Sequence, residues 1–209
     1  MKFKTIIAAT ALAVLPGLAA AAPVFFGEVY ESDSRIGSID AALSIIDANA
    51  PDATFRSTGI DYPNGEIDKV SSKTSIAAFL GVDGATLSAA VGAVKTTVFR
   101  FTGFIELAKG VQTFSLRSDD GFRLTIDDNL IGKANLRGFS ESKFELDAGS
   151  GVVPFEIVFF ENGGVTGIEF EIDGAIAAPA PSPVPLPAGG LLLLTALGGA
   201  AALRRKPRG

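Results

Sequence analysis

The chain has 209 residues, 47% of them hydrophobic, with a formal net charge of -5. It contains no His and no Cys, which excludes imidazole acid–base chemistry, thiol catalysis, disulfides, and zinc or iron–sulfur sites built on those ligands. Six of the 18 basic residues lie in the first 22 and last six positions, where there is no acid, so the body sets 12 basic residues against 23 acidic ones. A body that acidic repels nucleic acid and anionic membrane and suits cation binding.

The N-terminus has a basic start at Met1–Lys4, an apolar run Ile6–Val14, a break at Pro16-Gly17 and small residues Ala19–Ala22. That order is a secretory signal peptide, residues 1–21, with cleavage by signal peptidase after Ala21. A mature body of residues 22–176 follows, and Ala177–Pro183 reads as an extended Pro/Ala linker with no core to join.

Within the body, Ser38–Asn49 predicts a helix. Ile39, Ala42, Leu43 and Ile46 form one stripe, and Ser38 serves as N-cap. Thr54–Asp61 predicts a strand and Tyr62-Pro63-Asn64-Gly65 a turn, with a short helical segment at Ser75–Leu80 closed by Gly81. Strands follow. Val98–Leu107 puts Phe99, Phe101 and Ile105 on one face, and Gln112–Ser118 turns Phe114 and Leu116 inward. Phe122, Leu124 and Ile126 alternate with polar residues before the turn Asp127-Asp128-Asn129. Phe144 and Leu146, then Pro154–Glu161 with Phe155, Ile157 and Phe159, then Ile168, Phe170 and Ile172, complete six strands. Such a series predicts a mainly β fold: a two-sheet antiparallel β-sandwich over a core of residues 94–173, with short N-terminal helical additions.

Two polar loops interrupt the alternation: Arg117-Ser118-Asp119-Asp120-Gly121 and Glu161-Asn162-Gly163-Gly164-Val165-Thr166-Gly167. Adjacent carboxylates repel unless hydrogen bonds, a shared proton or a cation offsets the repulsion. Calcium takes six to eight oxygen ligands and suits such loops, and the glycines free backbone carbonyls to turn. The competing reading is structural, with Asp119 and Asp120 capping a tight turn through backbone N–H groups. Glu169/Glu171 and Glu141/Glu145 have the look of glycosidase carboxylate pairs, but nothing indicates a cleft, and the expectation is that the chain is not an enzyme.

The C-terminal segment orders Val184-Pro185-Leu186-Pro187-Ala188, an apolar run to Leu203, and Arg204-Arg205-Lys206-Pro207-Arg208. It resembles the VPLPA variant of the PEP-CTERM sorting signals, which implies recognition of residues 184–209 by an exosortase-type membrane protease. The run 188–203 spans about 24 Å as a helix against a ~30 Å hydrocarbon core, which fits transient anchoring in the inner membrane with the basic end in the cytoplasm. Residues 94–173, most specifically Ser118-Asp119-Asp120-Gly121 and its following strand, resemble the lectin-like domain of the anthrax protective-antigen type. The lead-in, residues 28–93, resembles the N-terminal section of bacterial surface relatives. In yeast adhesin members an Asp–Asp pair joined by a cis peptide binds calcium, which holds sugar hydroxyls. The resemblance carries those roles to Asp119 and Asp120, with Asn162 as third metal ligand and Gly163 and Gly164 in the ligand-binding loop. It implies an exported cell-surface or matrix protein that binds extracellular glycan or exopolysaccharide with calcium as cofactor, for adhesion or biofilm matrix. The alternative is a structural matrix protein without a small-molecule ligand.

Overall fold

A computed structural model describes residues 22–64 and 68–183. The signal peptide and the sorting signal Val184–Ala188 with its apolar run lie outside those residues. Among the described residues no helix is long and apolar enough to cross a membrane.

In chain order the elements are β1 Phe25–Glu31, α1 Ile39–Ala48, β2 Ala53–Ser57, β3 Asp61–Tyr62, β4 Val70–Ser71, α2 Ile76–Phe79 and a 3-10 turn Gly81–Thr86. Then come β5 Thr97–Leu107, β6 Gly110–Asp119, β7 Gly121–Ile126, β8 Asn129–Ala134, β9 Ser140–Ala148, β10 Gly151–Glu161, β11 Val165–Ile172 and β12 Ala175–Ile176. One sheet runs β2-β1-β5-β10-β7-β8, and the other β12-β11-β6-β9, with β3 and β4 also paired to β11. Every pairing between these strands is antiparallel. The sandwich is as expected.

The alternating residues fill the space between the sheets. Phe101, Phe114, Leu116, Phe122, Leu124, Ile126, Phe155, Ile157 and Ile168 are all buried in one core cluster. Rings meet there in stacks and edges: Phe99 on Phe159 at 5.8 Å, Phe25 edge-on to Phe155 at 4.8 Å. Val158 and Phe160, on the opposite face of β10, are buried too, because α1 lays Ile39 and Ala42 over them. The helix starts where Ser38 Oγ accepts from the Ala41 N–H at 3.2 Å, and Ser75 caps α2 in the same way from Ala78.

Three features differ from the sequence-based expectation. β1 is a central strand whose alternation Phe25, Gly27, Val29 is broken by a glycine. A Cβ at Gly27 would stand 2.2 Å from the Phe55 ring, so an aromatic from β2 fills the missing side chain's space. β8 follows the Asp127-Asp128-Asn129 turn, where Asp127 and Asp128 take positive φ and close a hairpin. The 177–183 linker is partly docked. Ala177 and Ala180 are buried, donating N–H groups to Phe170 O at 2.9 Å and Phe104 O at 2.8 Å.

Candidate cation site at the sandwich tip

Strand order brings the two polar loops together. β6 ends at Asp119 in one sheet and β7 begins at Gly121 in the other, so Asp120 alone carries the chain across the end of the sandwich. β10 ends at Glu161 and β11 begins at Val165, so residues 162–164 make a second crossing in the opposite direction. The crossings are neighbours because Phe160 pairs with Gly121 and Gly167 with Asp119.

Alternation then decides which polar residues end up inside. Continuing Phe155, Ile157 and Phe159 by two reaches Glu161, which is fully buried. Stepping back from Ile168 reaches Thr166, also fully buried, and back from Phe122 reaches Asp120, 7% exposed. Asp119 is 6% exposed. Polar groups thus occupy inward positions where the Phe-rich core ends.

Carboxylate oxygens of Asp119, Asp120 and Glu161 lie within 4.8 Å of one another. The Asp119–Asp120 peptide is cis. One oxygen of each acid is held by the main chain: Phe139 N–H donates to Asp119 Oδ2 at 2.9 Å, Asn162 N–H to Asp120 Oδ2 at 2.8 Å, and Gly163 N–H to Glu161 Oε1. Glu161 Oε2 is buried with no hydrogen-bond partner, as is Thr166 Oγ1. Arg137 lies over the Phe122 ring, 4.9 Å from its centroid, and donates to Ser118 Oγ at 3.0 Å. Ser118 Oγ in turn donates to Asp120 O at 2.8 Å.

Electrostatics records the crowding. Burial pushes the Glu161 carboxyl up to about 8, with the Asp120 charge adding to the effect. The Thr166 hydroxyl eases its ionisation slightly from nearby without reaching hydrogen-bond geometry. Burial also raises Asp119 and Asp120, against the main-chain bonds that favour their charged forms. Three acids share one buried volume, one with an orphaned oxygen, and the nearby charges of Lys69, Arg137 and Arg35 offset their burial only in part, which leaves a set of hard oxygen donors short of positive charge. Calcium or a similar hard cation fits that donor chemistry.

Of the residues expected at the site, the structure brings Asp119 and Asp120 together with Glu161. Asn162 is adjacent, and its side-chain Oδ1 accepts from Ile36 N–H at 3.1 Å, bracing the loop against the segment before α1. Gly163 and Gly164 take φ of 149° and 104°, conformations that favour glycine, and the Gly164 carbonyl accepts from Ser72 N–H at 3.0 Å. Glu161 was not anticipated as a site residue. Its signal was the two-residue period of β10, which ends on it. Glu141 and Glu169 both pair with Arg117, at 3.6 and 2.8 Å, as an ion-pair row across β9, β6 and β11.

Residues 82–174 match the family model of the PA14 domain. No curated protein matches the chain. A PA14 sugar-binding domain from an RTX adhesin is 26% identical, with a TM-score of 0.63 over 77% of this chain and 100% of that one. The PA14 domain of the MpAFP antifreeze protein is 22% identical, with a TM-score of 0.65 over 80% and 92%. The epithelial adhesin 6 A domain from Candida glabrata, solved in complex with Galb1-3GlcNAc, shares the fold at 13% identity and a TM-score of 0.53 over 82% and 86%. In sequence over residues 82–174 and in fold over most of its length, this chain is similar to PA14 domains.

Proposed function

We propose that the chain is an exported cell-surface or matrix protein whose sandwich tip binds carbohydrate through a calcium ion held by Asp119, Asp120 and Glu161. The observation that carries this reading is the buried, partnerless Glu161 Oε2 beside two further carboxylates. Burying like charges without compensation is costly, and a divalent cation removes that cost. Asn162, Gly163 and Gly164 form the adjoining loop, and calcium's open coordination positions accept vicinal sugar hydroxyls. The similar RTX adhesin domain is a sugar-binding domain, and the similar Candida glabrata domain was solved with a disaccharide. Signal peptidase processing after Ala21 and exosortase-type processing near Val184–Ala188 place the body outside the cell, for adhesion or biofilm matrix.

Calorimetric calcium titration of the chain tests the metal, and a glycan array with and without chelator tests the sugar. Calcium binding together with chelator-sensitive array signals is the expected result. Absence of calcium binding at millimolar concentration leaves the second reading, a structural matrix protein. The main-chain bonds to one oxygen of each acid favour that reading, since they also describe turn caps.

A further inference from the structure

The rim of the tip carries cations from three separate loops. Arg35 precedes Ile36, whose N–H binds Asn162 Oδ1. Lys69 places Nζ 5.6 Å from the centroid of the Phe139 ring, and Phe139 N–H binds Asp119. Lys95 Cε lies 3.9 Å from where a Cβ on Gly163 would stand. All three are exposed. Among the described residues none has a salt-bridge partner, whereas Arg100, Arg117, Arg123 and Lys143 do. The charges of Lys69 and Arg35 reach Asp119 and Asp120 and favour their ionised forms. Asp68, beside Lys69, acts instead on Asp61 and Glu169.

Eight of the body's 12 basic residues have no salt bridge among the described residues, and three of those eight, on separate loops, border this one loop cluster. Three ionised carboxylates and a divalent ion leave a single negative charge at the centre, which the three rim cations outnumber. A neutral sugar makes no use of that field. We infer that the glycan taken at this tip is anionic: ring hydroxyls face the calcium, and a carboxylate of a uronic-acid unit meets Arg35, Lys69 and Lys95. The inference rests on the calcium reading of the tip and narrows it to a substrate class.

The test uses the full chain with calcium and two probes that differ in one group, methyl β-glucuronide and methyl β-glucoside. Calcium affinity is measured first. The glucuronide should bind about tenfold or more tightly than the glucoside, and added salt should erode the difference. In the combined Arg35→Gln, Lys69→Gln, Lys95→Gln variant the preference should collapse. Calcium affinity should hold or rise, because removing nearby positive charge cannot weaken cation binding. Equal affinities, a preference for the glucoside, or a glucuronide preference that survives in the variant overturns the inference while leaving the calcium reading standing. Failure of the wild type to bind calcium overturns both, and is seen before any sugar is added.

Discussion

Two regions of the sandwich are opposites. At the tip, three acids and a threonine are packed where the core stops, with buried oxygens lacking partners. Away from the tip, on the face of the β1-β5-β10-β7 sheet, lies a concavity of about 600 Å³ lined by Val24, Phe26, Phe104, Phe155 and Ala180 together with Asp128 and Glu156. Pro23 and Ser182 line it too, so the chain enters and leaves the sandwich there. That hollow is mostly apolar, while the tip, where buried oxygens go without partners, has the unmet electrostatic demand. Chemical capacity follows not from volume but from which polar groups burial leaves unsatisfied.

The core joining the two is the place to break both at once. Leu124→Ala, in the fully buried middle of β7, should cost about 2–5 kcal/mol in chemical denaturation. A loss under about 1 kcal/mol would mean the sheets pack loosely there.

Calcium should act on the tip alone. At a hundredfold excess over its dissociation constant it should stabilise the protein by about 2.7 kcal/mol, read as a rise in melting temperature. Asp119→Asn keeps the shape and removes a charge, so it should weaken calcium binding by about tenfold or more. The fold should survive, and glycan signal should fall with the metal. An unchanged calcium titration in this variant would remove Asp119 from the site.

Glu161 sharpens the contrast, since it should be a liability without the ion. Its folded-state carboxyl is raised to about 8, so the folded chain holds this proton more tightly than the unfolded one. The sign follows: metal-free stability falls as pH climbs from the ordinary carboxylate range toward 8, and is unaffected by this group below that range. Glu161→Gln should therefore raise the metal-free melting temperature at pH 8 by about 2–4 °C, or ~1 kcal/mol. It should also weaken calcium binding. A destabilised metal-free variant with the same pH profile as wild type would show that the carboxylate is already compensated.

The smallest effect belongs to the apolar hollow. Phe26 is 46% exposed at the concavity, so Phe26→Ala should change stability by about 0.5 kcal/mol or less and leave calcium binding untouched. A calcium defect there would show that the two regions are coupled.

Much of this was legible in the residues. Alternation in Val98–Leu107, Phe122–Ile126 and Pro154–Glu161 predicts which side chains are buried, because a strand's two faces repeat every two positions wherever the strand lies. The Ser38 and Ser75 caps are equally local, since a hydroxyl three residues from an N–H meets it as soon as the first turn forms. The Asp119-Asp120 pair marks itself by like charges side by side. Tertiary structure decided the rest. β1 hides behind Gly27, whose vacancy makes sense only once the Phe55 ring of β2 fills it. The docking of Ala177 and Ala180 depends on carbonyls of Phe170 and Phe104. That Glu161 joins Asp119 and Asp120 depends on β10 lying beside β7 while β11 lies beside β6, pairings made between residues some forty positions apart. Periodicity is a property of neighbours in sequence and can be read from it. The meeting of two loops, and the burial that makes an ordinary glutamate hold its proton to about pH 8, belong to the way the sheets close on each other.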